Sequence, residues 1–403
     1  MIGGGAAGLM AAGTAAERGL SVLLAEPNER LGKKLRITGK GRCNLTNACT
    51  QKEFLANVPT NPKFLYSCIA AFPPESAIAF FEQLGVKTKI ERGRRVFPQS
   101  DSANEVADAL AAWVKRLGVR QLHNTVRQII TDDTGAVCGV RTDRGVIDCG
   151  AAVLCTGGLS YPATGSRGDG YRMARQLGHE IVPQRASLVP LESPDAFCAD
   201  LSGFAPRNVQ LTLLRDGKAV WHELGEMLFA HFGVTGPLVL SASAHMTQPG
   251  EYALRLDLKP ALDEQTLDAR VLRDFDKFRN RDIANALVEL VPRSMIPAVV
   301  EKSGIPADTK ANSVTKQQRR ALVTTLKAFD IRVSGKRPIA EAIITGGGVS
   351  VKQVNPRTME SKLVPGLYFA GEILDVDAFT GGYNLQIAWA TGRCAGLAAG
   401  GET

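Results

Sequence analysis

The chain has 403 residues, 44% of them apolar and 22% charged, with a formal net charge of +8, the composition of a soluble globular enzyme with room for two or three cores. No run approaches the roughly 18 apolar residues of a membrane span, and no basic-flanked apolar leader opens the chain. The eight cysteines, Cys43, Cys49, Cys68, Cys138, Cys149, Cys155, Cys198 and Cys394, include no C-x-x-C pair, which argues against a metal site and a secreted disulfide framework and points to a reducing cytoplasm.

The first element is Ile2-Gly3-Gly4-Gly5-Ala6-Ala7-Gly8, followed by an Ala-rich stretch without a breaker and by an apolar strand ending at Glu26. Gly3, Gly5 and Gly8 fit the G-x-G-x-x-G dinucleotide fingerprint, with roles in turning out of a strand, admitting a pyrophosphate and packing helix on strand. The helix start offers free N–H groups and the positive end of a dipole to an anion. Glu26 stands where an acidic residue accepts from ribose hydroxyls. Only Met1 and Ile2 precede Gly3, whereas a strand runs about five or six residues, so the natural start is expected upstream.

Residues 30–47 form a loop dense in Gly, Lys and Arg. Lys33, Lys34, Arg36, Lys40 and Arg42 are expected to neutralise phosphate while glycines such as Gly41 bring backbone N–H groups to a ligand. Cys43 and Cys49 stand roughly where flavin disulfide reductases carry a redox pair. Their spacing of six differs from the five of those enzymes, so Cys43 and Asn44 are read as lining a flavin pocket instead.

Residues 51–120 read mainly as helices, with Ser102-Ala-Asn-Glu105 as a capping box and 87–98 as a hairpin tipped by Arg92, Arg94 and Arg95. Residues 121–147 alternate as a small antiparallel sheet, within which Val126 would present backbone to an adenine. Ala151 to Gly158 reads as a buried parallel strand running into Thr156-Gly157-Gly158, where a flat cofactor needs close backbone approach. Gly168-Asp169-Gly170 opens a further helix.

From Pro183 the composition shifts to β segments with Pro and Gly turns, a barrel or sandwich over 184–262 that contains His231. A helical stretch, 263–336, follows. Thr266 to Arg337 holds fifteen Lys or Arg against eight Asp or Glu, a surplus of seven; this is either a solvated helical surface or a polyanion footprint. The chain returns at Ala340 to Val349. Two signals then follow: a strand ending in Gly371-Glu372, with Asp375 beyond it, and a helix opened by Gly381-Gly382-Tyr383-Asn384 and carrying Gln386. This pairing favours a flavin over nicotinamide, because a helix start aimed at the pyrimidine end of an isoalloxazine stabilises its anionic reduced form.

The Gly3 to Gly8 fingerprint, the Gly39 to Asn47 loop, Thr156-Gly157-Gly158, Gly168-Asp169-Gly170, Gly225 to Phe229, Thr358 to Lys362 and Pro365 to Gln386 together resemble the BaiN/RdsA (YhiN-like) family of NAD(P)/FAD-dependent oxidoreductases. The resemblance runs end to end. It implies an α/β fold with a discontinuous, Rossmann-type, glutathione-reductase-like FAD domain in 1–183 and 337–403, interrupted by the β-domain and the basic helical subdomain. It also implies FAD contacts at Gly3, Gly4, Gly5, Ala6, Ala7, Gly8, Glu26, Lys33, Lys34, Gly41, Arg42, Cys43, Asn44, Val126, Thr156, Gly157, Gly158, Gly371, Glu372, Asp375, Gly382, Tyr383, Asn384 and Gln386.

Two activities attach to that family: reduction of 3-oxo bile-acid intermediates, the first expectation for this chain, and conversion of a uridine in large-subunit ribosomal RNA to dihydrouridine, the alternative supported by the basic block. Both add hydride to a C=C conjugated to a carbonyl, with NADH or NADPH as donor. Tyr161, Asp169, His231 and Tyr383 are candidate proton donors. A flavin-bound scaffold or RNA-binding module without catalysis and a disulfide reductase are the remaining alternatives.

Overall fold

A computed structural model describes residues 1–401, which divide into two compact units, 1–187 with 339–401 and 188–338. In the first unit helix α1, Ala6–Glu17, is buried over most of its surface because its small side chains let neighbours close in from all sides. Strands β1 (Leu23–Ala25), β2 (Arg120–Leu122) and β3 (Ala152–Leu154) follow. Ile2 bridges in parallel to both Ala25 and Leu154, so two residues hold the central strand position. Residues 126–148 form a separate three-stranded antiparallel sheet, while Gln121 and Leu122 belong to the parallel one. The 88–98 hairpin forms, with Glu91 opposite Arg95. The expected capping box does not. Ser102 caps nothing with its side chain, and the Glu105 carboxylate accepts instead from the Ser100 hydroxyl. Strand β4, Ile181–Ser187, closes this part.

The second unit holds an antiparallel sheet of β5 (Val209–Arg215), β6 (Lys218–Gly225), β7 (Tyr252–Asp257) and β8 (Phe329–Arg332), in the order β6-β5-β7-β8. A second four-stranded sheet combines short segments near 191, 229, 234 and 335. Here the structure departs from two separate inserted pieces. Leu211, Leu213, Leu254 and Leu256 on β5 and β7 share one core with Leu267, Val271 and Phe275 of α2 (Glu264–Lys277) and with Leu322 and Leu326 of α3 (Lys316–Lys327). The alternating strands bury one face and the amphipathic helices one stripe, and each supplies the other's missing apolar partner.

Back in the first unit, β9 (Ile344–Val349) pairs antiparallel with β4, and β10 (Leu367–Phe369) pairs parallel with β3. The parallel sheet thus runs β2, β1, Ile2, β3, β10, with crossovers as in doubly wound folds. Helix α4, Tyr383–Ala398, lies along α1. The two approach closely because Gly392 and Gly396 have no Cβ: one would stand 2.5 Å from the Ala7 carbonyl oxygen and 2.6 Å from that of Ala11. No single helix among the described residues is long and apolar enough to cross a membrane.

Candidate functional site

The glycine loop leaves the parallel sheet at Gly3, whose φ of +102° disfavours any side chain. A Cβ at Gly8 would lie 1.9 Å from the Gly3 carbonyl oxygen, so the third glycine lets helix meet strand. At Gly5 a Cβ would meet nothing within 4 Å. That opening lies at the N-cap of α1, which has neither a side-chain cap nor an acidic residue in its first turn. The N-terminal N–H groups of Ala6, Ala7 and Gly8 are thus available to an anion. Glu26 sits at the tip of β1 beside this loop. Its Oε2 accepts from the Gly4 N–H at 2.8 Å, and its Oε1 from the Asn28 N–H and amide at 2.9 and 2.7 Å. These three bonds leave about one acceptor direction for a ligand hydroxyl.

A second cluster gathers residues far apart in the chain. Lys34 Nζ donates to Glu372 Oε2 and to Ser160 Oγ, both at 2.6 Å. Glu372 Oε1 accepts from Ser160 Oγ at 2.7 Å and from the Thr345 N–H at 2.9 Å. Gly158 fits beneath this network: a Cβ there would lie 2.3 Å from Thr345 Oγ1. Nearby, the hydroxyl of Thr156 is buried without a hydrogen-bond partner. Gly157, with φ of +70°, follows it, and Gly371 rests against Ala7 of α1. Tyr161, in the left-handed region, has its ring centroid 5.9 Å from Lys34 Nζ.

The start of α4 forms the third part. Gly382 has φ of +97° and stands 2.4 Å, at its Cβ position, from the Thr46 carbonyl oxygen. The Asn44 amide, turned to satisfy its neighbours, accepts from the Gly382 N–H at 3.0 Å and donates to Thr46 and Val96 carbonyls. No side chain caps α4 and no acid occupies its first turn. Tyr383 packs edge-on to Phe54. Cys43, at φ of +60°, is buried, and burial pushes its thiol up to about 12; burial likewise pushes Cys49 up to about 11. All eight cysteines are free, so Cys43 and Cys49 form no redox disulfide here.

Several of the residues expected to touch the cofactor make contacts within the protein. Arg42 spends its guanidinium on Glu91 and Asp101 and stacks on Phe97 at 4.2 Å. Arg36 pairs with Asp108, and Lys33 reaches only Asn28 at 3.4 Å. Of the five loop cations, Lys34 alone enters the Glu372 network. The Asn384 side chain secures its own approach loop through Ala378 N–H and O at 2.9 and 2.7 Å. Gln386, fully buried, bridges Thr46 and the Phe72 carbonyl. Val126 is a core side chain at the start of its strand, Gly41 opens onto free space, and Asp375 Oδ1 is buried without a partner. Of the other proton-donor candidates, Asp169 pairs with Arg172 at 3.6 Å, and His231 is an exposed residue of the second unit.

Ser160 and Thr345 enter the Glu372 network without a motif that marks them in the sequence; the Gly346 triplet after Thr345 is the one local signal.

The open glycine cradle, the two uncapped helix starts and the orphaned Thr156 hydroxyl fit a dinucleotide with a flat ring system. Residues 1–398 match the family described as HI0933-like protein Rossmann domain. The chain is 31% identical over 392 residues to the ribosomal RNA dihydrouridine synthase of Escherichia coli (strain K12), covering 97% of this chain and 95% of that protein. It is also 31% identical over 405 residues to the 3-dehydro-bile acid delta(4,6)-reductase of Clostridium scindens, covering 99% and 98%. Among solved structures, 3-ketosteroid-delta4-(5alpha)-dehydrogenase from Rhodococcus jostii RHA1 superposes with a TM-score of 0.50 at 16% identity, covering 100% of this chain and 96% of that one, and so shares the fold. The chain belongs to the HI0933-like Rossmann family, the FAD-dependent oxidoreductases of BaiN/RdsA type that its motifs resemble.

Proposed function

We propose that this protein binds FAD, takes electrons from NADH or NADPH, and reduces a C=C bond conjugated to a carbonyl, with a uridine of ribosomal RNA as acceptor. Bound FAD supplies the hydride. Gly3 to Gly8 and the α1 N-terminus would hold the pyrophosphate, Glu26 a ribose hydroxyl, and Val126 backbone would flank the adenine. Thr156 to Gly158, Gly371, Glu372 and Lys34 would line the middle of the cofactor. The α4 start would direct N–H groups to the flavin ring, which favours negative charge there. No second complete fingerprint exists for nicotinamide, so that donor is read as a transient visitor.

The observation that favours RNA is the charge of the second unit. Arg273, Arg279, Arg281, Arg293, Lys316 and Arg320 are exposed, and none of them has an ion-pair partner among the described residues. An unneutralised cationic surface suits phosphates, while one carboxylate of a bile acid needs far less. The Escherichia coli and Clostridium scindens relatives, at equal identity, support the shared reaction class. Anaerobic stopped-flow mixing tests the choice: reduced protein is mixed in parallel with unmodified large-subunit ribosomal RNA and with a 3-oxo-4,6-diene bile acid. Reoxidation by RNA with dihydrouridine formed is expected; reoxidation by the steroid alone overturns the RNA reading.

A further inference from the structure

The Ile344 to Val349 strand and the loop between Gly371 and Gly382 enclose a charged group with no role in the cofactor contacts above. Arg185 of β4 donates from Nη2 to Thr60 Oγ1 at 3.0 Å and to Asp377 Oδ1 at 3.1 Å. Asp377 is fully buried, and its other oxygen accepts from Ser187 Oγ at 2.7 Å. The guanidinium also lies against Gly346, where a Cβ would stand 2.7 Å from Cζ. It is thus fixed from three sides. Yet the Arg185 side chain is 32% exposed, and Nε and Nη1 have no hydrogen-bond partner among the described residues. Alongside, Asn61 Nδ2 donates to the Asp375 carbonyl and carboxylate at 2.7 and 3.0 Å, holding the same loop.

A buried carboxylate is costly to desolvate, and here it orients a cation whose remaining donors face solvent. The loop it anchors begins at Gly371-Glu372 and ends at Gly382, two of the segments read as lining the cofactor. We infer that Arg185 binds the carbonyl oxygen of the acceptor, with Asp377 as its positioning residue. This rests on the proposed reaction. Hydride arriving at the carbon β to the carbonyl pushes the C=C electron pair toward oxygen, and a proton from water then closes the α-carbon. NADH or NADPH is oxidised and the C=C reduced. A preorganised guanidinium stabilises the oxygen as its charge grows.

The test uses FAD-loaded protein and a para-substituted phenolate, a stand-in for the enolate oxygen on a flat ring. Wild-type protein is expected to bind phenolate with a long-wavelength charge-transfer band. Arg185→Gln should weaken that binding by about 10²-fold, Arg185→Lys should restore part of it, and Asp377→Asn should fall between. Flavin content and far-UV circular dichroism report whether each variant is folded and loaded. Reoxidation of dithionite-reduced Arg185→Gln by the acceptor should slow by a similar factor. Equal phenolate affinity in wild type and Arg185→Gln, or no phenolate binding by wild type, overturns the inference. Arg185-dependent phenolate binding without reoxidation by either RNA or steroid leaves Arg185 as the oxyanion site and overturns the proposed reaction instead.

Discussion

Lys34 and Glu372, 338 residues apart, meet at 2.6 Å with side chains only 20% and 16% exposed. The pair joins the glycine-rich loop after β1 to the segment after β10, so the cofactor domain is closed by charge as well as by packing. Removing one member leaves the other poorly solvated. Lys34→Met is expected to cost about 3 kcal/mol, read as a lowered urea midpoint with unchanged m. A double-mutant cycle with Glu372→Gln should show coupling above about 0.5 kcal/mol; additive effects would contradict the pairing.

Gly5 and Gly8 should respond in opposite ways to the same methyl group. Gly8→Ala places a Cβ 1.9 Å from the Gly3 carbonyl oxygen and should destabilise by about 3 kcal/mol. Gly5→Ala meets only open space in the protein and should change stability by about 0.5 kcal/mol, while FAD content falls sharply. Full FAD retention in Gly5→Ala would show that the opening does not receive the cofactor.

Cys43 and Cys49 should be poor nucleophiles near neutral pH, because burial holds them as thiols up to about 12 and 11. Folded protein should resist iodoacetamide at pH 8, and the Cys43→Ser and Cys49→Ser variants should keep turnover. The stability consequence follows by linkage. A thiol whose folded value is raised loses stability as pH climbs, here from the ordinary value of 9.0 toward about 12 for Cys43, at up to about 1.4 kcal/mol per pH unit. Denaturation midpoints measured from pH 8 upward check the sign; rising stability would refute it.

Arg279 and Arg281, exposed on the turn after α2, should contribute to polyanion binding through phosphate neutralisation. Arg279→Ala with Arg281→Ala is expected to weaken RNA binding and to lower the slope of log affinity against log salt by about 1 per residue. A slope unchanged in filter-binding or anisotropy titrations would return these cations to ordinary surface.

Some of this is legible in the sequence, and the reason is range. A positive φ at Gly3, an open helix start at Gly5 and a helix–strand contact at Gly8 depend on a few neighbouring residues, so their spacing alone determines the loop and, with Glu26, the cofactor class. The same holds for the glycines that open α4 and for the charge surplus of residues 266–337. Partner choice is not local. Arg42 and Lys34 look equivalent in the loop, yet one meets Glu91 and Asp101 and the other Glu372. Asn384 and Gln386 look like ligand contacts, yet their amides serve nearby backbone and Thr46. Arg185 and Asp377, 192 residues apart, meet only once β4 lies beside β9. Spacing along the chain settles where the backbone can turn, open and pack; which charges meet depends on the folded arrangement, because side-chain electrostatics acts over a few ångströms of space and not along the chain.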